Sequence, residues 1–69
     1  MDEAEIEKRF TYHPPQAAQI PRFAMLRATG RLMAEEIVKH TPPSREQSLA
    51  LTALEECVMW ANAAIARNE

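Results

Sequence analysis

The stretch that decides the fold is His40-Thr41-Pro42-Pro43-Ser44-Arg45-Glu46-Gln47, which lies between two long helical segments. Each proline fixes its own φ angle and biases the preceding residue toward extended backbone, so a helix does not continue through this pair. Ser44, followed three residues later by Gln47, forms a capping box that begins a new helix. The stretch therefore predicts two helices joined by a short turn at residues 40–43.

The segment after the turn is predicted to be helical over residues 44–67, because no proline interrupts it. A helix of this length spans roughly 35 Å at 1.5 Å per residue. Its main apolar stripe is formed by Leu51, Leu54, Val58, Ala61 and Ile65. A second stripe beside it is formed by Ala53, Cys57, Trp60 and Ala64.

The segment before the turn is predicted to be helical over residues 20–39, with Pro21 in its first turn, where proline is favoured. One face carries small or apolar residues at helical spacing, namely Phe23, Leu26, Gly30, Met33, Ala34 and Ile37. Two helices with a short connection pack as an antiparallel hairpin. Upstream we predict a short helix over residues 2–8 and an irregular connector over 9–19.

The whole chain, 1–69, is thus predicted to be one all-α domain. A hairpin buries one stripe per helix, which leaves the second stripe exposed together with Met25, Leu32 and Met59. A chain this short has a small core, and Cys57 is its single cysteine, so an internal disulfide is excluded. His13 and His40 stand alone, so no metal site is expected. We therefore predict a homo-oligomer whose subunits complete each other's core.

Charge and composition restrict the function further. A net charge of −2 and a pI near 5.6 argue against binding to DNA or RNA. No run of about 18 apolar residues is found, so no membrane span is expected. The acidic start lacks the apolar stretch of a secretory signal, which predicts a cytoplasmic protein. No catalytic constellation or phosphate loop is present, so we expect neither an enzyme nor a cofactor.

Two groups of side chains are candidates for ligand contact. The first lies in Arg9-Phe10-Thr11-Tyr12-His13-Pro14-Pro15, where Tyr12 could stack on a base or simply pack the connector onto the helices. The second is the arginine flank of the second helix, whose guanidinium groups match phosphate geometry. Alternatively these arginines form ordinary ion pairs with Glu35, Glu55 or Glu56. The arginines concerned are Arg22, Arg27 and Arg31.

Three short sequence motifs are more specific to one protein family than any helical pattern is. They are the 9–15 motif, Arg22-Phe23, and residues 54–68 with the run Met59-Trp60-Ala61-Asn62-Ala63-Ala64-Ile65-Ala66-Arg67-Asn68. The chain resembles the small phage sponge proteins that counter CBASS immunity and, more distantly, the hairpin module of the anti-Thoeris sponges. The resemblance implies a non-enzymatic hexamer of helical hairpins in the host cytoplasm. Such sponges sequester cyclic oligonucleotide messengers without cleaving them.

The resemblance also implies a site for cyclic dinucleotides such as cyclic GMP-AMP, between paired subunits. Tyr12 would stack on a base there, and Phe10 and His13 of the same motif are placed beside it. Arg27 is the nearest equivalent of the basic residue that meets the phosphates in this family.

A second kind of pocket, for cyclic trinucleotides such as cyclic tri-adenylate, is implied near a three-fold axis. Arg67 is its expected phosphate ligand, and Thr41 is a looser assignment from its place at the turn. The competing interpretation is a structural or adaptor oligomer whose exposed stripe binds another protein.

Overall fold

The computed structural model describes all residues, 1–69, and contains three helices and no strand. Helix α1 covers Glu3–Phe10, α2 covers Ile20–His40 and α3 covers Arg45–Asn68. The all-α prediction is confirmed. The connector between α1 and α2 and the turn between α2 and α3 are the two irregular segments.

Helix α1 begins one residue later and ends two residues later than its predicted range of 2–8. Asp2 is the N-cap rather than a helical residue, and its carboxylate accepts a hydrogen bond from the Glu5 amide at 2.9 Å. At the other end, the Arg9 guanidinium donates to the Glu5 carboxylate at 3.0 Å, one turn apart on the same face. This pairing favours the extension of the helix by two residues, so Phe10 is the last helical residue and not part of the connector.

The turn between α2 and α3 is closed by side chains. Ser44 is the N-cap of α3, and its hydroxyl accepts from the Gln47 amide at 3.1 Å. The Gln47 side-chain amide reaches back to the carbonyl and the hydroxyl oxygens of Thr41, both at 3.1 Å. Helix α2 begins at the predicted residue and ends one residue later than its predicted range of 20–39, and α3 begins and ends one residue later than its predicted range of 44–67.

Helices α2 and α3 pack against each other along their length. Arg22, in the first turn of α2, contacts Glu69, the residue after α3. Gly30, in the middle of α2, faces Val58, in the middle of α3. The five residues of the predicted main stripe of α3 are all half-buried or buried, as are Phe23, Leu26, Gly30, Ala34 and Ile37 of α2.

Met33 was predicted on the packed face of α2, and that prediction is wrong, because its side chain is exposed. At 3.6 residues per turn, Met33 lies about 60° from the centre of the packed face, at its margin. The second stripe of α3 is exposed as predicted, and Met25, Leu32 and Met59 are exposed with it.

The molecule is a plate one helix thick. Its principal extents are 45 × 30 × 12 Å, and a helix with its side chains measures about 10–12 Å across. Its accessible surface is 5597 Å², whereas a globular monomer of this mass exposes about 4,400 Å². Only Ile65 and Gln19 are buried. A single layer of helices has no enclosed core, so its apolar faces stay open to contact.

Helix α3 is long enough and apolar enough to cross a membrane, with a mean hydropathy of 1.3 in its most apolar window. The expectation that no segment is long and apolar enough to span a membrane is therefore wrong as far as length and composition are concerned. Glu55 and Glu56, however, lie in the middle of this helix, where ionised side chains would meet the bilayer centre at high cost. The half-buried main stripe and the exposed second stripe together give the helix this apolar composition.

Candidate functional site

Two exposed aromatic rings lie close together in sequence, one at the end of α1 and one in the connector that follows it. Phe10 is 82% exposed and Tyr12 is 79% exposed, so neither packs the connector onto the helices of its own chain. The segment that follows is fixed by Gln19, whose side-chain oxygen accepts from the Gln16 amide at 3.0 Å. Gln19 is 4% exposed, the lowest value in the chain. The Gln19–Gln16 contact orders residues 16–19 just before α2 begins.

His13 has a structural partner. Its Nε2 lies 2.7 Å from the Lys8 carbonyl oxygen, and the ring is half-buried. Because a carbonyl oxygen can only accept, Nε2 must carry the hydrogen and donate it. The imidazole thus satisfies one of the unpaired carbonyls at the end of α1. This contact holds the connector against α1 and occupies one of the two ring nitrogens.

A groove of about 530 Å³ lies between α1 and the C-terminal part of α3. We call it the basic–aromatic groove, because Lys8, Arg9, Phe10, Trp60 and Arg67 line it, together with Glu5, Ala63, Ala64 and Asn68. The indole Nε1 of Trp60 donates to the Glu56 carboxylate at 3.2 Å, which satisfies the polar edge of the ring. Aromatic faces beside cationic groups suit planar anions such as nucleotides.

A second groove of about 570 Å³ lies between α2 and α3. We call it the hairpin groove; Arg27, Gly30, Arg31, Ala34, Leu51, Thr52, Leu54, Glu55, Val58, Met59 and Asn62 line it. The guanidinium of Arg31 pairs with Glu35 at 3.0 Å, as the ion-pair interpretation predicted. Arg27 takes part in none of the four ion pairs, so its charge is available in the groove.

Asn62 carries an unpaired polar atom at the wall of the hairpin groove. Its Oδ1 is buried and has no hydrogen-bond partner within the chain. A buried acceptor without a donor is costly and uncommon in folded proteins.

The sequence-predicted site residues do not gather in one place on a single chain. Phe10 and Arg67 share the basic–aromatic groove, although they were assigned to different ligands. Arg27 lies in the hairpin groove, and Tyr12 lines neither of the two grooves. Tyr12 and Arg27 therefore do not line a common groove on one chain.

Thr41 is engaged in the turn. Its hydroxyl donates to the Ile37 carbonyl oxygen at 2.6 Å and accepts from the Gln47 side-chain amide at 3.1 Å. Both hydrogen-bonding directions of the hydroxyl are thereby used, although Thr41 remains exposed. Its observed role is to close the turn.

One further charged contact lies at the opposite end of the hairpin. The Arg22 guanidinium forms two parallel hydrogen bonds with the Glu69 carboxylate, at 2.6 and 3.0 Å. These hydrogen bonds, with the attraction between the charges, lower the pKa of Glu69 and raise that of Arg22. Both side chains are about half exposed. Sequence reasoning gave Arg22 other acidic partners and did not foresee this one.

Comparison with known families decides which proteins this chain resembles. Residues 2–66 match the family described as Acb2/Tad1, hairpin domain. The chain belongs to the Acb2/Tad1 hairpin family. Neither a curated protein nor a solved structure shows significant similarity to it.

The hairpin family match covers α1, the connector, α2 and nearly all of α3. The resemblance to anti-CBASS and anti-Thoeris sponges, inferred from three short sequence motifs, is confirmed at the level of the family. Both grooves lie within the matched residues apart from the last few of α3, such as Arg67. No group of three His, Cys, Asp or Glu side chains is arranged to hold a metal ion.

Sequence reasoning missed three groove residues of this hairpin family member. The sequence predicted Lys8 as the basic end of α1, Arg9 as the first residue of the connector and of the 9–15 motif, and Trp60 as a core or subunit-interface residue. The sequence partly indicates this groove, because two basic residues and an aromatic residue stand together at positions 8–10. Nothing in the sequence shows that α1 folds back beside the end of α3.

Proposed function

We propose that this protein is a phage anti-defence sponge that binds cyclic oligonucleotide messengers in the host cytoplasm and releases them unchanged. The observation that carries this proposal is membership of the Acb2/Tad1 hairpin family over residues 2–66. Sequestration requires aromatic planes for bases and cations for phosphates, and no reaction. The chain displays both kinds of group on its surface.

In the proposed assembly, each chain forms an antiparallel hairpin and six chains form a hexamer. The plate-like shape supports an oligomer, because the exposed apolar side chains include Met25, Leu32, Met59 and Trp60, at 60–67% exposure. Packing copies together would bury these side chains and supply the hydrophobic stabilisation that one chain lacks. The alternative of an adaptor oligomer rests on the same exposed residues and is separated from the sponge by the ligand tests below.

The proposed dinucleotide site lies between paired subunits. Tyr12 stacks on a base, and Phe10 supplies a second ring from the end of α1. Arg27, which has no acidic partner, binds a phosphate of the same ligand. His13 contributes indirectly by holding the connector, because its Nε2 is hydrogen-bonded to Lys8. Two copies of one Tyr–Arg set suit the pseudo-two-fold symmetry of a cyclic dinucleotide.

The proposed trinucleotide site uses Arg67 from several chains. Its side chain lies half-buried in the basic–aromatic groove, where Lys8 and Arg9 add positive charge. Thr41 is assigned to this ligand more loosely, because its hydroxyl already serves the turn.

Isothermal titration of the purified protein with cyclic GMP-AMP, and separately with cyclic tri-adenylate, tests the proposal. We expect saturable binding of the dinucleotide at about one ligand per two subunits, as an isologous interface requires. Ligand released by heating the complex should be chemically intact. Recovery of linear or cleaved nucleotide would contradict the sponge, and no heat with either ligand would favour the adaptor.

Variants then locate the dinucleotide site. Tyr12→Ala removes a stacking ring worth about 1–3 kcal/mol per base, so the Kd should rise about 5- to 150-fold while the oligomer persists. Arg27→Gln should weaken binding as well. Arg45→Gln is the matched control, because Arg45 is exposed, forms no ion pair and lines neither groove. Dissociation of the Tyr12→Ala assembly would count against the assignment.

A further inference from the structure

Arg67 lies in the last turn of α3, which ends at Asn68. The final carbonyls of a helix have no partners within the helix, and terminal turns fray unless other contacts hold them. A mobile last turn would leave the Arg67 guanidinium without a fixed position in the basic–aromatic groove. The contacts that order this turn therefore bear on the proposed trinucleotide site.

Beside the buried Ile65, two side-chain hydrogen-bonding contacts lie at the end of α3. Asn68 donates from Nδ2 to the Ala64 carbonyl oxygen at 2.9 Å, a contact within the same helix. Glu69 reaches across to Arg22 at the start of α2 with two hydrogen bonds, 2.6 and 3.0 Å. Among the side-chain hydrogen bonds of the last turn, the Arg22–Glu69 pair is the one that joins it to another helix. Its forked geometry is the strong form of an arginine–carboxylate pair.

We infer that the Arg22–Glu69 pair is a latch that orders the last turn of α3 and thereby positions Arg67 for a phosphate of the trinucleotide. This inference rests on the proposed function. Arg22 and Glu69 are positioning residues: neither lines the basic–aromatic groove. While the latch is closed, the last turn is already ordered before the ligand binds. The conformational entropy of ordering this turn is therefore lost during folding, and ligand binding carries no further entropy cost of this kind.

The latch should close at neutral pH and open in acid. Because the hydrogen bonds and charge of Arg22 lower the pKa of Glu69, the carboxylate stays ionised to lower pH than a free glutamate, whose pKa is about 4.3. The stabilisation is complete above that ordinary value and is lost as the pH falls through the lowered pKa of the folded state.

Substitution of Glu69 tests the latch. Glu69→Gln retains the shape and removes the charge, so cyclic tri-adenylate binding should weaken about three- to tenfold, in keeping with a half-exposed but bidentate pair. Amide hydrogen exchange of residues 65–69 should become faster. Binding of cyclic GMP-AMP should change much less, because Tyr12 and Arg27 of its proposed site lie outside the basic–aromatic groove. The reversed pair, Arg22→Glu with Glu69→Arg, should restore part of the trinucleotide affinity.

Glu35→Gln is the matched control, since it removes the carboxylate of another exposed arginine pair far from Arg67. The latch is wrong if Glu69→Gln leaves trinucleotide affinity unchanged while Arg67→Ala abolishes it; the sponge then stands. Absence of binding of either nucleotide by the unmodified protein overturns the proposed function, and the positioning role with it. Equal loss of both ligands in Glu69→Gln would indicate general unfolding and also overturn the latch.

Discussion

At the scale of single residues, Gly30 sets how closely α2 and α3 approach. It faces Val58, and a Cβ atom built at Gly30 would lie 2.7 Å from the Val58 Cγ2 atom. Non-bonded carbon atoms essentially never approach this closely, and a valine side chain is stiff because it branches at Cβ. Gly30 therefore has a packing role, and its backbone conformation is ordinary helix.

Gly30→Ala should lower the free energy of unfolding by about 1–2 kcal/mol. Overpacking costs roughly 1–3 kcal/mol, and the gain in helix propensity offsets up to about 1 kcal/mol. Thermal or urea unfolding at fixed protein concentration measures the change. Thr29→Ala is the control, because Thr29 is an exposed neighbour on the same helix.

The double variant Gly30→Ala with Val58→Ala tests whether the contact with Val58 causes the loss of stability. If the clash with Val58 is responsible, the double variant should lose less stability than the two single variants added together. Simple additivity would show that the helices separate for another reason.

The candidate site was predictable from residues only in part. The exposure of Phe10 and Tyr12 and the free charge of Arg27 agree with their selection as ligand candidates. The hydrogen bonds of His13 and Thr41 were not predictable, because both depend on how the chain turns after a helix. No feature of the local sequence distinguishes such a contact from a free polar side chain.

At the scale of elements, α1 is the least self-sufficient part of the fold. It has eight residues, none of them buried, and isolated helices shorter than about 12 residues are marginal in water. It is held by Asp2 at its start, by the Glu5–Arg9 pair, and by His13 at its end. The stability of α1 in a single chain therefore depends on capping more than on packing.

His13→Ala should loosen α1 and the connector together. Loss of one cap typically costs about 1 kcal/mol, so amide exchange in residues 6–12 should become about fivefold faster. Exchange in α2 and α3 should be unaffected. His13→Gln provides the comparison, because its amide can still donate a hydrogen bond. Unchanged exchange in His13→Ala would show that the imidazole does not cap α1.

Helix boundaries were predictable where the sequence contains recognisable capping residues. Ser44 and Gln47 fixed the start of α3 to within one residue, and Pro42 and Pro43 fixed the turn. The end of α1 was placed two residues early, because the Glu5–Arg9 pair and the His13 cap compete with the tendency of Pro14 and Pro15 to favour extended backbone. Such competition is decided by geometry that a sequence pattern does not contain.

At the scale of the whole molecule, the plate-like shape is the dominant property. The radius of gyration is 15.2 Å, against about 11 Å for a compact domain of this length. The sequence predicted that apolar side chains would remain exposed, since two stripes run along α3 and one hairpin buries one of them. It did not predict that the chain would form a single layer.

Stability should consequently depend on protein concentration. If copies cover each other's apolar faces, the melting temperature should rise as the chain is concentrated, because association stabilises the folded state by mass action. Light scattering coupled to size-exclusion chromatography gives the subunit number, which we expect to be six. Leu32→Glu should dissociate the assembly, while Ser48→Glu, at another exposed position, should not. A melting temperature independent of concentration would contradict the assembly.

A plate of helices also minimises the protein mass needed for each binding site. A catalyst can be scarce because each copy turns over many substrates, whereas a sequestering protein must be made in numbers comparable to its ligand. A 7.8 kDa chain one helix thick places nearly every side chain at a surface, where it can line a pocket shared with a neighbour. Under the proposed sponge function, a short and thin chain lowers the amount of protein that must be synthesised for each binding site.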